Sequence, residues 1–285
     1  MPPSPTARSS LVLLPVLLLV LLAALAPARA ASAQGYVDVE LVLAVDVSRS
    51  MDMDEQALQR AGYVEAFRDP AVHAAIASGI HQRIAVTYVE WAGTGLSNVV
   101  VPWMILAGGE DANAFADRLA VPTPSRIRRT SISGAIAMGR REIETNDVVG
   151  LRRVIDISGD GPNNEGAPVI VARDAAVASG ITVNGLPLIL KPPSAWGIED
   201  LDIYYEDCVI GGPGAFLITV RDPANFTEAI RRKLILEIAG AVPDPRRVDA
   251  PLVRNAQFAP PRPPRIDCMI GETIRQRRER DWGDF

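Results

Sequence analysis

Along the chain, hydrophobic and polar positions alternate between the period of a strand and the period of a helix. Leu41–Val45 is an unbroken apolar run of strand length, and Asp52-Met53-Asp54-Glu55 behind it opens a helix reaching about Phe67. That opening puts acids in the first turn and has a D-x-x-E capping arrangement. Strands follow at Arg83–Glu90 and Asn98–Trp103, the second placed at a sheet edge because Pro102 cannot donate to a ladder. The pattern then predicts helices over Ala112–Leu119 and Ile132–Ile143, a strand over Arg153–Ser158, a helix over Ala167–Ser179 and a strand over Ile181–Leu190. Phe216–Val220 reads as a short final strand and Pro223–Ala239 as a final amphipathic helix, with Pro223 where a first turn tolerates it. Such alternation predicts an α/β fold: three layers, doubly wound, a mostly parallel sheet covered on both faces, with one antiparallel edge strand. Val242–Phe285 is rich in proline and arginine, has little periodicity and reads as an extended tail. The sequence shows no internal repeat.

The first 33 residues have a different character. A short stretch containing Arg8 precedes the apolar run Leu11–Ala26, and two small-x-small sites follow, Ala28-Arg29-Ala30 and Ala31-Ser32-Ala33. This is the layout of a secretory signal peptide, with an uncleaved anchor as the alternative. The expected organisation is therefore signal peptide 1–33, domain 37–240 and tail 241–285. The mature chain is expected to be periplasmic or secreted, with no membrane span after cleavage. Cleavage changes the charge balance. The full chain carries −5; losing Arg8 and Arg29 leaves 27 basic residues against 34 acidic ones, a formal −7. An acidic surface argues against nucleic acid as a partner. The only lysines are Lys191 and Lys233, a bias read first as codon usage. Cys208 and Cys268 are the only cysteines. In an exported chain they are expected to form one disulfide, worth about 3–4 kcal/mol on the chain-entropy view, the alternative being two buried free thiols.

Candidate chemistry lies where strands end. Asp46-Val47-Ser48-Arg49-Ser50 follows the first strand and offers a carboxylate and two hydroxyls at alternate positions, oxygen ligands of the kind hard divalent cations take. In open α/β sheets ligands collect beyond the carboxyl ends of strands. Two further loops carry oxygen-bearing side chains at such ends, Arg128-Arg129-Thr130-Ser131-Ile132-Ser133-Gly134 and Ser158-Gly159-Asp160-Gly161-Pro162-Asn163-Asn164.

With these motifs in order, the chain resembles the von Willebrand factor A domain family from about Val39 to Ala239. Asp46, Ser48 and Ser50 match that family's D-x-S-x-S. Thr130 matches its threonine, in T-S-I-S-G-A-I, and Asp160 matches the aspartate of its D-G turn. More narrowly, V-I-D-I-S-G-D-G-P-N-N is similar to a family of exported bacterial proteins related to von Willebrand A domains. The resemblance implies a metal-ion-dependent adhesion site formed by Asp46, Ser48, Ser50, Thr130 and Asp160. It implies that the two aspartates act partly through water. The cation is then short of negative charge and accepts a carboxylate from a protein partner. A small six-coordinate shell suits Mg²⁺ or Mn²⁺ better than Ca²⁺. The expected function is an exported, cation-dependent protein-binding module without catalysis.

Each ligand has a plainer use. Ser50 or Asp52 caps the first helix on this alternative, and Thr130 the helix after it. Asp156 is a carboxylate inside an apolar strand, where the family strand is apolar, and either accepts bonds from a neighbouring loop or supports the site. Arg126, Arg128 and Arg129 form a solvated face or steer an acidic partner. His73 and His81 lack zinc-ligand spacing, and Trp91 reads as packing near the site rim. A haloacid-dehalogenase-type phosphatase is the enzymatic rival, since G-D-G-P-N-N resembles its loop with Asp46 as nucleophile. Ser48 then stands where a second aspartate must act as acid, and both lysines follow the G-D-G loop rather than precede it. No G-x-S-x-G elbow supports a serine hydrolase. A von Willebrand A scaffold with an empty site is the remaining alternative.

Overall fold

The computed structural model describes residues 35–121, 129–240, 253–255 and 264–283. The expected signal peptide, Arg126, Arg128 and most of the region 241–263 lie outside them. β1 (Gly35–Asp46), β2 (Ile84–Trp91), β3 (Ser97–Leu106), β4 (Val148–Gly159), β5 (Thr182–Pro187), β6 (Phe216–Ile218) and β7 (Val253–Asn255) form one sheet, ordered β3-β2-β1-β4-β5-β6-β7. All neighbours from β2 to β6 pair in parallel. β3 is the expected antiparallel edge, and its ladder with β2 shifts register between Val86 and Tyr88. Pro102 falls in that irregularity, where no amide is required. On the opposite edge the tail adds β7, antiparallel to β6, a strand too short to leave a pattern in sequence.

The helices are α1 (Met53–Arg68), α2 (Pro70–Ala77), α3 (Gly109–Leu119), α4 (Ile132–Thr145), α5 (Val169–Ala178), α6 (Leu201–Tyr204, continued by a π turn at Tyr205–Val209), α7 (Phe226–Ala239) and α8 (Ile270–Gly283). Asp52 caps α1, accepting from Asp54 and Glu55 amides while the Glu55 carboxylate returns to the Asp52 amide, which is the capping box expected. α2 escaped the periodicity because it is only two turns long, although Asp69 accepting from the Ala71 amide, with Pro70 beside it, is a readable start signal. Along β1, Leu41, Leu43 and Val45 pack with Tyr63, Phe67, Phe115 and Ile230, while Val42 and Ala44 pack with Ile136, Ile155 and Tyr205. The sheet thus buries apolar side chains on both faces, the reason its central strands read as continuous hydrophobic runs. Among the described residues no helix is long and apolar enough to cross a membrane.

The tail is tied back as expected. Cys208 and Cys268 form a disulfide with Cα atoms 5.5 Å apart. Beyond it α8, which the tail's polar composition concealed, packs against the domain. Asp156 does neither thing expected of it: its Oδ1 lies 3.0 Å from Lys233 Nζ, and that ammonium also donates to Glu237 Oε1 at 2.6 Å. The three side chains are fully buried between β4 and α7. Burial, and then the Glu237 charge, push the Asp156 carboxyl up to about 7 against the opposing pull of Lys233. One of the two lysines is therefore a core charge partner, a role that codon usage does not supply.

Candidate metal centre

Strand order reverses between β1 and β4, so their carboxyl ends flank the crevice where ligands of open α/β sheets bind. Asp46 ends β1 and Gly159 ends β4. Asp46, Ser48 and Thr130 are buried, and Ser50 and Asp160 are partly exposed. Asp46 Oδ1 accepts from the Ser48 amide at 2.7 Å. Ser50 Oγ donates to Asp160 Oδ1 at 2.6 Å, so its single proton is committed and Ser48 must donate in the 3.0 Å contact between the two hydroxyls. The first and third motifs, 110 residues apart, thus meet directly. Thr130 lines the same open cleft as Ser50 and Asp160, beside Leu190, Lys191 and Trp196.

The capping alternative fails for both hydroxyls it concerned. Asp52 caps α1, and Ser131, not Thr130, caps α4 by accepting from the Gly134 amide. Neither hydroxyl is therefore spent on a helix end: Ser50 bonds Ser48 and Asp160 instead, and Thr130 lines the cleft. Thr130 is instead fixed through its backbone, its amide donating to Asn164 Oδ1 and its carbonyl accepting from the Asn164 amide. Arg129, just before it, adopts φ +79, a left-handed conformation unfavourable for a side-chain-bearing residue. Its guanidinium is held by Glu165 and Glu279, so Arg129 is a loop anchor rather than an unengaged steering charge.

The donor set fits a hard divalent cation. Its side-chain atoms are all oxygen, two carboxylates and three hydroxyls, with no imidazole or thiolate. Asp46 Oδ2 is buried without a hydrogen-bond partner. A Cβ on Gly159 would lie 2.9 Å from that oxygen and 3.0 Å from the Tyr205 hydroxyl, so glycine keeps the strand end against the carboxylate. Burial, and then the nearby Asp160 charge, hold the Asp46 carboxyl well above its ordinary range. Burial also raises Asp160, against the Ser50 hydrogen bond. A cation between the two would offset both penalties.

Several residues around the cleft leave no clear signal in the sequence. Lys191, distant from the motifs in sequence, donates to the Ser50 carbonyl at 2.7 Å and to Glu55 Oε2 at 2.5 Å. Asn163 and Asn164 were visible in D-G-P-N-N but carried no assigned role. Asn163 Oδ1 accepts from the Ser133 amide, so the third loop is bonded to the start of α4. Trp91 packs in the core as expected, while His73 bonds the Phe67 carbonyl away from the cleft.

The family described as "Protein of unknown function (DUF1194)" matches residues 36–242. No curated protein matches the chain. Among solved structures, the vWF domain of the type V pili tip protein Mfa5 from Porphyromonas gingivalis aligns at TM-score 0.53 and 12% identity, covering 75% of this chain and 99% of that one. Proximal thread matrix protein 1 from the mussel byssus, with a zinc-occupied MIDAS motif, aligns at 0.52 and 15%, covering 72% and 49%. The pilus adhesin SpaC from Lactobacillus rhamnosus GG aligns at 0.52 and 13%, covering 71% and 31%. The chain spans about half the length of the mussel protein. At these identities the likeness establishes the von Willebrand A fold.

Proposed function

The chain belongs to the DUF1194 family, and from that premise we propose that it is an exported, non-catalytic binding module. In this reading Asp46, Ser48, Ser50, Thr130 and Asp160 hold a divalent cation that accepts a carboxylate from a protein partner. The observation that carries it is the direct Ser48–Ser50–Asp160 oxygen chain above the buried, half-unpaired Asp46 carboxylate. With only two carboxylates in the set, the cation keeps unsatisfied positive charge toward the open cleft, where an acidic side chain completes its shell. Mg²⁺ or Mn²⁺ suits the compact oxygen set better than Ca²⁺, and Zn²⁺ prefers the nitrogen and sulfur donors it lacks.

Three features support export and binding over catalysis. The Cys208–Cys268 disulfide belongs to an oxidising compartment, periplasmic or secreted, in keeping with the signal peptide expected over 1–33. Ser48, buried and hydrogen-bonded, occupies the place where a phosphatase of the haloacid type needs a carboxylic acid. Lys191 does reach the rim, but it is engaged by Glu55 and the Ser50 carbonyl. Titration calorimetry with MgCl₂ and MnCl₂ tests the reading. Binding by the native chain that is lost in Asp46→Ala supports it, and absence of binding by the native chain refutes it. Sustained Mg²⁺-dependent phosphate-ester turnover, abolished by Asp46→Asn, would move the chain to the phosphatase reading.

A further inference from the structure

The helix α8 lies beyond the segment shared with the family, yet it contacts three loops around the cleft. Its Glu272, buried, accepts from Asn163 Nδ2 at 2.6 Å, three residues beyond Asp160. Its Glu279 reaches Arg129, the strained residue before Thr130, at 3.1 Å. Its Arg278 stacks over the Trp196 ring at 5.4 Å, on the loop beyond β5 that lines the cleft. Gly271 packs so closely that a Cβ there would overlap the Asn163 carbonyl oxygen and meet Pro162 Cγ at 3.1 Å. The helix base is fixed as well. The Tyr204 hydroxyl accepts from the Asn163 amide at 3.2 Å and donates to the Cys268 carbonyl at 3.4 Å, next to the disulfide.

We propose that α8 is a disulfide-anchored strut that sets the cation site, with Glu272 a positioning residue acting through Asn163. Asn163 is the junction. One side chain accepts from the Ser133 amide at the head of the threonine loop and donates to Glu272 and to the Ala167 carbonyl. Fixing Asn163 therefore fixes the aspartate loop and the threonine loop relative to each other, and a site built from two distant loops needs that spacing held. The functional module accordingly extends through the tail to α8. This inference rests on the cation-binding reading above, and its test separates the two.

The experiment uses the full chain and the variants Gly271→Val, Glu272→Ala and Glu272→Gln. Amide hydrogen exchange at residues 129–134 and 158–164 is measured in EDTA, and Mg²⁺ affinity by calorimetry. Gly271→Val and Glu272→Ala are expected to speed exchange in both loops by about tenfold and to weaken Mg²⁺ binding by about tenfold, the scale of one lost charge-assisted hydrogen bond. Glu272→Gln keeps an acceptor oxygen for Asn163 and is expected to stay within about threefold of the native chain on both measures. Reduction of the disulfide in the native chain is expected to loosen the same loops. Native exchange in both loops in the two disruptive variants, with loosening confined to α8, overturns the strut. Equal damage from Glu272→Gln and Glu272→Ala overturns the role given to the acceptor. Loosened loops in a protein whose native form binds no Mg²⁺ would keep the strut and remove the cation reading.

Discussion

Replacing Asp46 by asparagine is expected to stabilise the protein without metal and to abolish its stabilisation by Mg²⁺. Asp46 is fully buried; its Oδ1 accepts from the Ser48 amide, while Oδ2 has no hydrogen-bond partner. Asparagine retains that acceptor and the side-chain shape, while removing a carboxylate that faces the like charge of Asp160. Exchanging that buried, like-charged carboxylate for a neutral amide of the same shape is worth about 1–3 kcal/mol. In a domain of this size that raises the melting temperature by about 3–9 °C. In the native chain, Mg²⁺ at a hundred times its dissociation constant adds about 2.7 kcal/mol, again several degrees. Circular-dichroism melts at pH 7.5, in EDTA and in MgCl₂, read both effects. A variant melting below the native chain in EDTA would show that the carboxylate has a structural partner. A variant retaining the Mg²⁺ shift would show that Asp46 is not a ligand.

Thr130→Ala is expected to remove the Mg²⁺ shift with little change in the EDTA melt, whereas Ser131→Ala is expected to lose about 1 kcal/mol as a helix cap and to keep the shift. Reversed outcomes in the same melts would exchange the two assignments. The Asp156 carboxyl titrates near 7 in the fold against an ordinary 3.8, so the folded chain holds a proton that the unfolded chain has already lost between about pH 4 and 7. Its contribution therefore favours the fold at acid pH and declines by up to about 1.4 kcal/mol per pH unit as pH rises through that window, flattening above it. Lys233 and Glu237 face it from α7, and Lys233 stays charged throughout, held above its usual range by the two carboxylates although burial opposes its charge. Urea denaturation from pH 4.5 to 8 is expected to show this decline in the native chain and its loss in Asp156→Asn, and equal slopes would refute it.

What the sequence determined about this protein lies in short-range patterns. The apolar runs of β1, β2 and β4, the capping box at Asp52 and Glu55, and Pro102 at an edge each follow from neighbours a few residues apart. The chain can therefore be read locally for elements, and the three strand-end motifs for a candidate set of ligands. The tertiary structure alone decided which hydroxyl caps and which faces the cleft, because Thr130 and Ser131 are adjacent and equally fit to cap. It alone set Lys233 against Asp156, Lys191 against Ser50 across 141 residues, and Glu279 against Arg129 across 150. Such contacts depend on how whole layers pack, and no local preference of either partner encodes them. α8 shows the difference most plainly. Its charged sequence carries only a weak apolar stripe, and its place comes from a disulfide, a glycine contact and one buried carboxylate.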